Sequence, residues 1–153
     1  LAPGLRLGWA ILPDWLLHKV AIIKQAADLH ASALSQTVAE CYLGLGRLDT
    51  QIEKIRHAYK HKGELLAQLV EKELGDVITF NQPKGGMFLW AKFRQDDFNT
   101  TEWLKKTLDQ GVVFVPGEFF FPDNIDYSTL RLSFATATDE QMHEAVARLR
   151  RAL

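Results

Sequence analysis

Ile52, Ile55, Tyr59, Leu66, Leu69 and Val70 recur at helical spacing along one stripe, in a segment that tolerates Gly63 and stops at Gly75. Asp49 is placed to cap this helix, which then covers residues 49–75 and serves as a spine between two layers or domains. Ahead of it the pattern is mainly helical. From Val77 onward it changes to short strands and turns. A chain ordered in this way folds as a helical front joined by one long helix to an α+β back.

The front begins with a nearly continuous apolar run, Leu5-Arg6-Leu7-Gly8-Trp9-Ala10-Ile11-Leu12, which predicts a strand of the kind buried on both faces in a parallel sheet. Its sheet partners must come from outside these residues. Pro13 suits the first turn of a helix carrying Leu16, Val20, Ile23 and Ala27. A second helix is expected after Ser32, with Leu34, Val38, Cys41, Tyr42 and Leu45 on one side and Gly46 as its stop. The chain opens on a Pro-Gly turn without an initiator Met, so a piece of a longer protein is expected.

In the back, residues 77–80 and 87–93 read as two strands of an antiparallel hairpin around Asn81-Gln82-Pro83-Lys84-Gly85-Gly86. Asn99 followed by Glu102 has capping-box spacing for a helix through Asp109, closed by Gly111. A strand over residues 112–115 follows, then the break Pro116-Gly117, then Phe119, Phe120 and Phe121 in a loop expected to tuck its rings under the domain, with closure over a substrate as the alternative. Residues 129–134 form another strand. Thr138 and Gln141 repeat the capping-box spacing before a last helix that presents Met142, Val146, Leu149 and Leu153. This is about four strands and two helices.

Composition bounds the function. With 153 residues and 47% apolar content the chain can bury an ordinary core. Its net charge of -1, from 18 basic and 19 acidic residues interspersed, offers no basic face, so neither nucleic acid nor an anionic membrane is an expected partner. No apolar run approaches the roughly 18 residues of a membrane span. The single Cys41 excludes an internal disulfide framework, fits a cytoplasmic setting, and on its apolar stripe reads as a buried, unreactive thiol. His57 and His61 stand at i, i+4, yet their Lys-rich surroundings make them a solvated helix face, and no metal site is expected.

Two arginines inside apolar runs remain, Arg6 and Arg131. A guanidinium stays charged and presents a planar fork of donors, so on a rigid backbone it is suited to phosphate or carboxylate. An isolated strand Arg more commonly pairs with a nearby acid or reaches the sheet edge.

Residues around both change that preference. Leu1-Ala2-Pro3-Gly4-Leu5-Arg6-Leu7-Gly8 resembles the stretch just after the Schiff-base lysine in fold-type I, pyridoxal-phosphate-dependent aminotransferases of class I/II, in their aminoadipate and kynurenine aminotransferase branch. In that register the lysine lies two residues before Leu1, so no catalytic residue is expected in this chain. Pro83-Lys84-Gly85-Gly86-Met87-Phe88-Leu89-Trp90 and Gly111-Val112-Val113-Phe114-Val115-Pro116-Gly117-Glu118-Phe119-Phe120 are similar to segments of the small domain of these enzymes. Leu130-Arg131-Leu132-Ser133-Phe134 resembles their carboxylate-binding strand. Lys24-Gln25-Ala26-Ala27-Asp28-Leu29-His30 and Ser35-Gln36 resemble a segment near the dimer interface.

The resemblance implies an α/β and α+β fold: a tail of the cofactor-binding large domain over residues 1–48, with one strand and interface helices, a connecting helix over 49–75, and the small α+β domain over 76–153. It implies that Arg6 binds the phosphate of pyridoxal 5'-phosphate and Arg131 the substrate α-carboxylate. Leu29 and His30 become dimer contacts near the other subunit's site. The parent would be a cytoplasmic homodimer that exchanges an amino group between an aromatic, aliphatic or 2-aminoadipate-like amino acid and a 2-oxo acid, while this part alone would be inactive. Transcription regulators that carry an aminotransferase-like domain behind a winged helix share the Pro-Gly-Leu-Arg-Leu-Gly segment and are the alternative. A stand-alone structural domain fits less well, because the run over residues 5–12 would be left exposed.

Overall fold

The long apolar stripe forms helix α3, Leu48–Leu74, and its buried side chains Leu66, Leu69, Val70 and Leu74 all lie in the C-terminal half. The structure is a computed structural model and describes residues 3–153; Leu1 and Ala2 of the first motif lie outside the described residues. It divides into two units, Leu1–Lys54 and Ile55–Leu153, so the boundary falls within α3. Asp49 sits in the first turn of α3, two residues past the position from which it could cap it.

In the first unit, a single 3-10 turn, Pro3–Leu5, leads into residues 6–13, which carry no strand. The strand expected over residues 5–12 is absent because a strand is a pairing of backbones, and every strand among the described residues lies between Ile78 and Ser133. Helix α1, Asp14–Asp28, starts from Pro13, whose fixed φ suits that place. Helix α2, Ala33–Gly44, is capped by Ser32, whose Oγ accepts the Ser35 amide at 3.3 Å. Gly46 follows at φ 64° and turns the chain out of the helix. No described residue of this unit is buried, and Cys41 on α2 is exposed, because nothing within these residues packs on its stripe.

The second unit is α+β. Its antiparallel sheet has the order β1-β2-β4-β3, with β1 at Ile78–Phe80, β2 at Phe88–Phe93, β3 at Val115–Pro116 and β4 at Thr129–Ser133. Helices α4, Thr100–Asp109, and α5, Asp139–Arg151, complete it. Leu89, Ala91 and Phe93 of β2 and Leu130 and Leu132 of β4 point to one face of the sheet and join one buried cluster with Leu66, Val70, Trp103, Val146 and Leu149. Phe93 stacks on Phe98 at 3.6 Å and meets Trp103 edge-on at 5.0 Å.

Local signals set the helix ends here. Asn99 Oδ1 accepts the amides of Thr101 and Glu102 at 2.9 and 3.1 Å, and the Glu102 carboxylate is taken by Lys105 at 2.8 Å. Thr138 and Gln141 form a full capping box. The strand expected over residues 112–115 shrinks to Val115–Pro116. Gly111 at φ 72° and a bond from the Val112 amide to Thr107 O at 2.9 Å use the preceding residues to close α4.

Candidate functional site

Because side chains alternate along a strand, the core-facing set of β2 leaves Phe88, Trp90 and Lys92 on the opposite, open face of the sheet. Arg131 stands between buried Leu130 and Leu132 on β4 and so shares that face, opposite Trp90 on β2 and Val115 on β3. Its guanidinium carbon lies 4.0 Å from the centroid of the Phe88 ring and 4.6 Å from that of Phe120. Trp90 meets Phe120 edge-on at 5.4 Å and Phe121 at 6.2 Å.

The aromatic loop therefore folds across the open face of the sheet, and the expectation that its rings tuck under the domain is corrected. Phe119 is 71% exposed, while Phe120 and Phe121 lie against Trp90. The cause is a close approach at Gly117. A Cβ there would collide with Thr129 Oγ1 and lie 2.9 Å from the Thr129 carbonyl carbon. Only glycine lets the 3-10 turn Gly117–Phe120 press onto β4 and bring Phe120 over Arg131. Thr101 Oγ1 donates to Glu118 Oε1 at 2.5 Å and fixes the same turn from α4.

The start of β4 is equally tied. Thr100 Oγ1 bonds Tyr127 O and Thr129 O at 2.9 and 2.8 Å. Asp126 accepts from the Ser128 amide and hydroxyl and faces Lys92 Nζ at 3.1 Å. Burial pushes the Asp126 carboxyl up, but Ser128 and Lys92 outweigh it and hold it below the ordinary carboxylate value.

Arg131 differs from the arginines around it. Arg94 donates to Gly75 O, Arg148 to Glu144 and Gln110 O, Arg150 to both oxygens of Asp76, and Arg151 to Glu144. Among the described residues no carboxylate or carbonyl accepts from the Arg131 side chain, although it is half-buried. Among the described residues its guanidinium is faced by the rings of Phe88 and Phe120, which occupy none of its five N–H donors.

In the first unit, Arg6 is exposed and adopts φ 53°, a left-handed conformation unusual for a side-chain-bearing residue. Its amide bonds Pro3 O at 3.1 Å. Leu29, at φ 61°, ends α1, and His30 bonds Asp28 O through its amide at 2.6 Å while its Nδ1 lies 3.0 Å from Ala31 O. Leu29 and His30 line an open concavity of about 790 Å³ together with Leu7, Gly8 and Trp9, the residues just after Arg6. Among the described residues no three metal-ligating side chains converge, and His61 Nε2 meets Asp139 Oδ2 at 2.7 Å.

Neither Phe88 nor Phe120 was read from the sequence as a partner of Arg131: Phe88 stood only within a motif, and Phe120 within the aromatic loop. The alternation through Phe88, Trp90 and Lys92 carries the signal for the first, while the second depends on the nonlocal contact of Gly117 with Thr129.

The sequence profile of the family Aminotransferase class I and II matches residues 1–149. The chain belongs to that family. It is 36% identical over 149 residues to the aromatic-amino-acid aminotransferase 1 of Thermococcus litoralis, covering 97% of this chain and 36% of that protein. It is 32% identical to the uncharacterized HTH-type transcriptional regulator YdfD of Bacillus subtilis, covering 97% of this chain and 30% of that protein. The crystal structure of LysN, the alpha-aminoadipate aminotransferase of Thermus thermophilus complexed with N-(5'-phosphopyridoxyl)-L-leucine, superposes with a TM-score of 0.86 at 34% identity, covering 99% of this chain and 38% of that one. The chain thus spans 30–38% of the length of these relatives. No helix among the described residues is long and apolar enough to cross a membrane.

Proposed function

We propose that the full-length protein is a pyridoxal 5'-phosphate-dependent aminotransferase that exchanges an amino group between an aromatic, aliphatic or 2-aminoadipate-like amino acid and a 2-oxo acid. Family membership supports the reaction class, and the observation that carries the reading within this chain is Arg131, a half-buried cation with free donors in an apolar, ring-walled place. Such a group suits a substrate carboxylate. A two-point guanidinium–carboxylate pair contributes about 1.5–3 kcal/mol per charge-assisted bond, and it fixes the substrate so that its Cα–H bond is presented in one orientation. Arg6 is the phosphate anchor: an exposed guanidinium fits the charge and geometry of a phosphate. When bound, the cofactor supplies an electron sink for the charge that develops at the substrate Cα.

In this reading residues 1–48 are the tail of the large domain, 49–75 the connecting helix and 76–153 the small domain. The protein is a cytoplasmic homodimer whose Leu29 and His30 reach toward the partner's site. The likeness to YdfD favours a second reading, the effector domain of a cofactor-sensing regulator.

An absorbance titration separates the two. Full-length protein loaded with pyridoxal 5'-phosphate should show a band near the visible edge that bleaches with an amino acid and returns with a 2-oxo acid. A band that forms and never turns over with any amino acid would overturn the enzyme in favour of the sensor. The 153 residues alone should be silent, since the expected lysine lies upstream of Leu1.

A further inference from the structure

We propose that Phe88 and Phe120 are positioning residues that hold the Arg131 guanidinium ready for a carboxylate; this rests on the carboxylate reading of Arg131. The guanidinium carbon lies within 4.0 and 4.6 Å of their ring centroids. A cation held over ring faces by their quadrupole uses none of its N–H donors in the process. An acidic partner would hold the side chain equally well but would occupy those donors and compete with the substrate. The two rings therefore solve a specific problem: they order a long side chain, whose rotamer freedom would otherwise be lost on binding, while leaving its donors unspent.

The surroundings fix the rings in turn. Phe88 sits on β2, a central strand of the sheet. Phe120 is backed edge-on by Trp90 and delivered by the turn that Gly117 presses onto Thr129. Phe119, one residue earlier, is 71% exposed and takes no part.

The test uses full-length protein loaded with pyridoxal 5'-phosphate and titrated with 4-methylpentanoate, a monocarboxylate that has no amino group to transfer. Phe88→Leu and Phe120→Leu should each weaken its binding about tenfold, the scale of a partly desolvated cation–ring contact, while Phe120→Tyr keeps a ring face and should stay within about twofold of the wild type. Phe119→Leu should bind as the wild type does. In turnover, Phe120→Leu should raise KM for leucine more than it lowers kcat, and should leave KM for leucinamide, which lacks the carboxylate, unchanged. A purely structural role would not distinguish those two substrates.

A second measurement needs no variant that must survive a lost ring. The Nε–H resonance of Arg131 in arginine-labelled protein, assigned with Arg131→Lys, should be displaced by ring currents from the position shown by Arg94, which is bonded to a carbonyl. Wild-type-like carboxylate binding in both Leu variants, with binding lost in Arg131→Lys, would overturn the positioning role and leave the carboxylate reading intact. Equal binding by wild type and Arg131→Lys would overturn both. An undisplaced Arg131 resonance would overturn the positioning role by itself.

Discussion

Trp9 and Trp103 are the same side chain in opposite circumstances: the first is 90% exposed and the second 2%. The contrast extends to their units. Ile11, Ile23 and Leu34 in the first unit are all more than half exposed, whereas the second unit gathers the whole buried cluster, from Leu66 to Ala152. An apolar pattern states that a surface is to be covered but not what covers it. In the second unit the cover is another part of the same chain. In the first it is not among these residues, and a surface of that kind marks an interaction face or an aggregation hazard.

The sharpest way to break this comparison is to truncate both tryptophans. Trp103→Ala should cost about 3–5 kcal/mol, as a large buried aromatic usually does, and bring the second unit close to unfolding. Trp9→Ala should stay within about 0.5 kcal/mol in the isolated chain. Urea denaturation followed by far-ultraviolet circular dichroism, which does not depend on the indole removed, measures both. Equal effects would show that the first unit has a core of its own.

A smaller effect is expected at Gly117. An added methyl would meet Thr129, whose backbone belongs to β4 and cannot retreat without disturbing the sheet. Gly117→Ala should destabilise by about 1–3 kcal/mol through overpacking. It should also move Phe120 off Arg131, so carboxylate binding by the full-length protein should fall along with stability. Gly4 and Gly8 in the first unit have nothing within reach of an added methyl, and Ala at either should leave the urea midpoint unchanged.

Helix caps sharpen the same contrast at lower energy. Thr138→Ala removes one arm of a full capping box on a helix whose Met142, Val146 and Leu149 are buried, so about 1 kcal/mol should be lost from the cooperative transition. Ser32 caps α2 through a single 3.3 Å bond on a helix with no buried residue, and Ser32→Ala should leave that transition unmoved. Differential scanning calorimetry of the two variants tests the pair.

What was legible in the sequence follows the same division. Asn99 and Thr138 were readable as caps, and Ser32 as the residue before a helix, because a helix start is settled within three or four residues. The β1–β2 hairpin was readable for the same reason, with Gly86 at φ 77° supplying the turn. Residues 5–12 were not, since their pattern reports a doubly buried strand and the pairing depends on backbones elsewhere. Cys41 failed likewise: its stripe is real, but its cover is not in these residues. At the candidate site, Arg131 stood out through its surrounding motif, and Phe88 was implicit in the alternation of β2. Phe120 over Arg131 was hidden, because it depends on a tertiary contact between residues 117 and 129.

The smallest effect expected is the pH dependence of the second unit. The Asp76 carboxyl is held below the ordinary range by its paired bonds to Arg150, and Asp126 is held low by Ser128 and Lys92 against the opposing effect of burial. A carboxyl depressed in the folded state contributes stability that is present above its unfolded pKa and is lost as pH falls through the folded value. The loss should therefore begin near the usual Asp value of about 4 and grow below it. Lys92, raised by Asp96 and then Asp126, contributes in the opposite sense: its share is present below its unfolded pKa and fades as pH rises through its folded one, at strongly alkaline pH. Asp126→Asn should flatten the acid limb and also lower stability at neutral pH, because Lys92 loses a partner and β4 loses an anchor beside Thr129. Arg150→Gln should flatten the acid limb alone, since both ends of its bridge to Asp76 are largely open to water. Thermal midpoints measured from pH 2.5 to 7 decide this, and an acid limb unchanged in both variants would mean that neither pair governs the acid sensitivity of the second unit.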